Sequence, residues 1–208
     1  PSYDAAGKTE AIARDMARTY DGVPYQMLSA LAGGTIPCQD NTGKLSILLE
    51  TLSGASGVYK GDYGITAIHI NVPDAASYQF GNMQTRNGLL VHEGQHALFH
   101  LLTGYDPYQP YLWLNEGLAV AAMDYIWGGT DSSGWMDGIA GNTDIRNGSA
   151  LFYKSYRDSS ARDYGMPYLF VRYLIARKTG SYNPMALFPL FYKQSANCDP
   201  ATYVTKVL

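Results

Sequence analysis

Charge is scarce in this chain and nearly balanced: Lys and Arg number 15 against 18 Asp and Glu, a net −3 over 208 residues. No basic run is longer than Arg177-Lys178. Nucleic acid and anionic membrane surfaces are held by concentrated positive charge, so neither is an expected partner. Also lacking is any apolar run of the roughly 20 residues that a membrane span takes. The opening residues PSYDAAGKTE contain no initiator Met and no apolar signal core, and so read as the start of a processed or trimmed product. Cysteine is limited to Cys38 and Cys198, neither in a CxxC pair nor at a metal-ligand spacing, which argues against a thiolate metal site.

Abundant instead are 18 Tyr and 22 Gly, a composition associated with secreted or extracytoplasmic proteins. In that setting a disulfide joining Cys38 to Cys198 is attractive, since closing so long a loop contributes on the order of 5 kcal/mol in the chain-entropy picture; two free thiols in a reducing compartment are the alternative. Asn147-Gly-Ser is a glycosylation sequon, informative only for a eukaryotic secretory chain. With 46% apolar residues and no repeat, residues 1–208 are expected to fold as a single domain around one core.

The apolar periodicity orders that domain. KTEAIARDMARTY, residues 8–20, reads as an amphipathic helix stopped by Asp21-Gly22. Short apolar runs between Gly-rich turns, KLSILLET at 44–51 and GVYKGDYG at 57–64, read as strands or hairpins. ITAIHIN at 65–71 reads as a strand with Thr66, Ile68 and Ile70 on one face and Ile65, Ala67 and His69 on the other. Helices are expected over 84–103, with Gly104 as C-cap, and over 111–127, ended by Gly128-Gly129. Residues 128–149, with six Gly, read as a long loop or lid. Helices follow at 149–157 and at 165–178, stopped by Thr179-Gly180, and a short one begins near Pro184. The class is α+β: an N-terminal helix and a mixed or antiparallel sheet, then a mainly helical remainder.

The chemistry concentrates in GLLVHEGQHALFH, residues 88–100, which holds three of the four His. His92 and His96 stand four apart, so on a helix both project from one face, as two imidazoles on one tetrahedral zinc must. Glu93 lies beside them, where a carboxylate can take a proton from water. Catalytic zinc usually has a third protein ligand and one open position. His100 continues the series but sits a further turn along and about 40° around, and no Gly bends the helix back. Glu116 is the better candidate: it lies in YLWLNEGLAVAAMDY, among neighbours so apolar that its charge requires a partner.

HEGQH, followed after nineteen residues by the Glu of WLNEGLA, resembles the gluzincin zinc peptidases, and the WLNEG phrase is similar to that of the zinc aminopeptidases. YGMPYLFVRYL at 164–174 resembles the Tyr-rich helix of the small secreted hyicolysin and pallilysin group. The resemblance spans about residues 65–178. It implies a zincin-like fold, Zn²⁺ held by His92, His96 and Glu116, a protein or peptide substrate, and Glu93 as general base on a water in the fourth metal position. One departure stands out: thermolysin-like enzymes carry a buttressing Asp four residues after the third ligand, where this chain has Val120. Asp124 or Asn115 could instead orient a ligand. Gluzincins commonly add a Tyr or His that donates to the tetrahedral intermediate; Tyr164 is the first candidate, with Tyr168 and His69 behind it. Strand 65–71, just before the zinc helix, fits the edge strand on which zincins hold an extended peptide. No GxMEN-type anchor for a free amino terminus precedes the helix, which points to an endopeptidase. The competing readings are a zincin-fold adhesion protein with a structural or vestigial zinc site, and a helical domain whose His bind nothing.

Overall fold

A computed structural model describes residues 8–37, 44–60, 67–71, 83–104, 111–128, 164–193 and 199–208. Two helices open the chain, α1 (Lys8–Asp21) and α2 (Val23–Leu31). The stripe on α1 faces inward, Met16 and Tyr20 being buried and Ile12 packed against the core. Asp21-Gly22 ends α1 as expected, but Gly22 also serves as N-cap of α2, and Pro24 falls in the first turn, where its missing N–H costs nothing. That restart explains why Asp21-Gly22 reads as a stop while a helix follows.

Three strands come next, β1 (Ser46–Glu50), β2 (Gly57–Lys60) and β3 (Ala67–Asn71). They form one small mixed sheet in the order β1-β3-β2, with β3 parallel to β1 and antiparallel to β2. Strands β1 and β2 are therefore not a hairpin. The expectation that residues 65–71 form an edge strand is also overturned: β3 is the central strand. Its run Ala67, Ile68, Ile70 and Asn71 is buried on both faces, which suits a position between two neighbours and not a rim. Among the described strands both edges meet helices: β1 touches α1, and β2 touches the long helix that follows.

Helix α3 (Met83–Thr103) and helix α4 (Leu112–Ile126) are the centre of the molecule. Both end as the sequence indicates, on Gly104 and Gly128 at positive φ. Tyr111 to Ala122 are all buried, so α4 is apolar all round because it is enclosed all round. Gly88 near the start of α3 receives the indole of Trp127 at the end of α4, so the two helices run back along one another.

Helix α5 (Met166–Thr179) packs on α4 and stops at left-handed Gly180. A 3-10 turn at Pro184–Ala186 leads to α6 (Phe188–Tyr192), and α7 (Pro200–Val207) closes the chain. Helix α7 went unread in the sequence although its signal is there: Asp199 caps the N–H groups of Ala201 and Thr202, and Pro200 occupies the first turn. Among the described residues, seven helices with one small mixed sheet make the class α+β. The Cys38–Cys198 pairing, the sequon at Asn147, the helix at 149–157 and, apart from Gly128, the loop or lid at 128–149 lie outside the described residues.

Candidate metal centre

Helix α3 is buried from Glu93 to Phe99, and its glycine is what allows that. A Cβ on Gly94 would stand 2.3 Å from Leu28 Cδ1, so the HEGQH helix accepts α2 directly on its back. The same holds in α4, where a Cβ on Gly117 would lie 2.6 Å from the Pro167 carbonyl oxygen of α5. Gly117 follows Glu116, so this backbone contact fixes the turn that carries the carboxylate. Gly117→Ala should cost about 1–3 kcal/mol by overpacking, read as a lower urea midpoint with an unchanged slope; an unaltered midpoint contradicts the tight crossing.

Across the α3–α4 contact the three expected ligands meet. His92 Nε2 and His96 Nε2 are 3.2 Å apart, and Glu116 Oε2 is 3.4 Å from the first and 3.6 Å from the second. Donor atoms at ~2.0–2.1 Å on a tetrahedral zinc stand about 3.3 Å from one another, so this triangle matches one face of such a tetrahedron. Glu116 is only 2% exposed, and a carboxylate so enclosed is stabilised in its charged form by a cation beside it. Two imidazoles and one carboxylate, each offering an atom within 4.8 Å of the others, are a donor set suited to zinc.

Glu93 lies on α3 beside this triangle and is 5% exposed. Burial lifts its pKa from 4.5 to about 7; His96 pulls it down, Glu116 pushes it up, and a main-chain hydrogen bond from Tyr59 lowers it. That rise belongs to the metal-free site; a dication held beside Glu93 would favour the ionised form that a base needs. Strand β2 forms the wall over it: a Cβ on Gly57 would come 3.1 Å from Glu93 Cγ and 3.2 Å from its Oε1. Gly57 is a site residue that sequence reasoning missed, because its neighbour belongs to another element.

The remaining candidates separate. His100 does not join the triangle; its Nδ1 shares a 2.7 Å hydrogen bond with the Tyr59 hydroxyl. His69 binds Glu50 Oε1 through Nδ1 at 2.6 Å, and Lys60 reaches the same oxygen at 2.9 Å, so His69 ties the sheet together. Tyr168 donates its hydroxyl to Asp124 Oδ2 at 2.8 Å and accepts from Arg172; burial, then Asp124, pushes its pKa far up. That engagement removes Tyr168 from the candidate donors. Tyr164, at the entry to α5, packs partly buried against the core.

Asp124 does not buttress His92 or His96. It is fully buried, and its Oδ2 is taken up by Tyr168 and by Arg172, whose Nη1 lies 3.3 Å away. Arg172 also stacks on the Tyr182 ring, 4.6 Å from its centroid. This cluster locks α5 to α4. Arg172→Met should cost on the order of 2 kcal/mol, since it leaves a buried carboxylate with less compensation; thermal unfolding at neutral pH reads it, and an unchanged midpoint contradicts it. Among the described residues His96 Nδ1 is buried without a hydrogen-bond partner, so no buttress there takes the place left by Val120. Compared with known proteins, the chain matches no protein-family model and no curated protein sequence.

Proposed function

We propose that this chain is a secreted zinc peptidase of gluzincin type, acting within protein chains as an endopeptidase, on a zincin-like α+β fold. The observation that carries the reading is the triangle of His92, His96 and Glu116 donor atoms at 3.2 to 3.6 Å with the buried Glu93 carboxylate beside it. Zinc at such a centre polarises a carbonyl and makes water acidic near neutral pH.

The protein residues supply the remainder. His92 and His96, one helical turn apart on α3, would hold the metal together with Glu116 of α4. Glu93 takes the proton from the attacking water, and the same carboxyl group returns it to the leaving amine. The Tyr59 main-chain bond steadies that carboxylate, and the enclosure that raises its pKa also keeps bulk water from competing for the proton. Strand β2, the edge against α3, takes the substrate-pairing role first expected of residues 65–71, with main-chain bonds giving affinity. Tyr164 is the proposed donor to the tetrahedral intermediate.

Cleavage of casein with and without chelator, together with zinc content after dialysis, tests the reading. Bound zinc with chelator-sensitive cleavage supports the peptidase. Bound zinc without cleavage supports a zincin-fold binding protein, and neither zinc nor cleavage supports a helical domain whose histidines bind nothing.

A further inference from the structure

We propose that Tyr59 and His100 form the anchor that sets β2 over Glu93, which makes His100 a positioning residue for the base instead of a spare member of a His-rich helix. The inference rests on the reading of Glu93 as the general base.

Strand β2 is four residues long and pairs on one side with β3, Gly57 opposite Ile70 and Tyr59 opposite Ile68. So short a strand has few ladder bonds to hold it. Alternation divides its side chains: Lys60 turns to Glu50 on the sheet, whereas Gly57 and Tyr59 turn to α3. Gly57 rests on Leu89 and Glu93, and the Tyr59 main chain bonds the Glu93 carboxylate. These contacts depend on the height of β2 above the helix, and glycine has no side chain with which to fix it.

Tyr59 supplies that fixing. The residue is 2% exposed, its hydroxyl is 2.7 Å from His100 Nδ1, and the two rings meet edge to face with centroids 5.8 Å apart. His100 lies seven residues after Glu93, about two helical turns, on the same α3 that carries the base and two ligands. One residue of β2 therefore reaches α3 twice, by main chain at Glu93 and by side chain at His100. A bond at the far end limits how the strand can tilt at the near end.

The test compares Tyr59→Phe, His100→Leu and His100→Asn in the zinc-loaded chain, Asn placing a polar atom near the position of Nδ1. Amide hydrogen exchange across β2, zinc content and turnover on casein are read for each. Tyr59→Phe and His100→Leu should speed exchange of the β2 amides about tenfold, as for one lost hydrogen bond, with β1, β3 and zinc content unchanged. Turnover should fall about tenfold in both, and His100→Asn should restore exchange and turnover toward the parent.

Unchanged β2 exchange overturns the anchor, and so does acceleration spread evenly over all elements. Faster β2 exchange with undiminished turnover overturns the positioning role. If the parent chain cleaves nothing while β2 exchange responds as stated, the anchor stands and the peptidase reading is what fails.

Discussion

Glu93→Gln should bind zinc as the parent does and cleave peptide bonds at least about a hundredfold more slowly, the scale of a lost general base. The amide fills nearly the same volume against Gly57 and keeps an acceptor for the Tyr59 main chain, so packing is preserved while proton transfer is lost. Turnover and zinc content measured together check this; a variant as active as the parent removes Glu93 from the chemistry.

The same substitution has a second consequence in chelated protein. The Glu93 pKa stands at about 7 when folded against a reference of 4.5. Between these values the folded chain keeps a proton that the unfolded chain releases, so stability declines as pH rises from about 4.5 to 7. At 1.36 kcal/mol per unit the decline is on the order of 3 kcal/mol. Gln cannot titrate, so the metal-free variant should gain on the metal-free parent above pH 7 and hold no advantage near pH 4. Urea midpoints at the two pH values read the difference.

The other large effect belongs to Glu116. Glu116→Gln removes the only negative charge among the three proposed ligands while leaving both imidazoles in place, so zinc affinity should fall by more than the roughly 10–100-fold that loss of an outer contact costs. Competition against a chromophoric chelator measures it, with far-UV circular dichroism confirming that the helix content is unchanged. An affinity within twofold of the parent would mean that the third ligand lies elsewhere in the chain.

Much of this centre is legible in the sequence because it is local. Two His four apart on a helix share a face whatever surrounds them, and Gly104 and Gly128 mark the ends of the two helices that must meet. The ranking of His100 below Glu116 also follows from helical geometry, and the Tyr59 bond gives His100 its separate place. What stayed hidden is relational. Alternation in residues 65–71 cannot reveal that β1 and β2 both pair with β3, so a central strand reads as an edge. Gly57, Gly94 and Gly117 look like interchangeable glycines until Glu93, Leu28 and Pro167 close on them. Asp124 sits two turns beyond Glu116 and suggests a ligand buttress, yet its partners Tyr168 and Arg172 come from α5, more than forty residues on.

The zinc K-edge absorption spectrum of the purified chain tests the centre most directly. The ligand set of His92, His96 and Glu116 predicts a first shell of nitrogen and oxygen at about 2.0–2.1 Å, with the outer scattering of two imidazoles. A sulfur shell near 2.3 Å, or oxygen without imidazole, would contradict it.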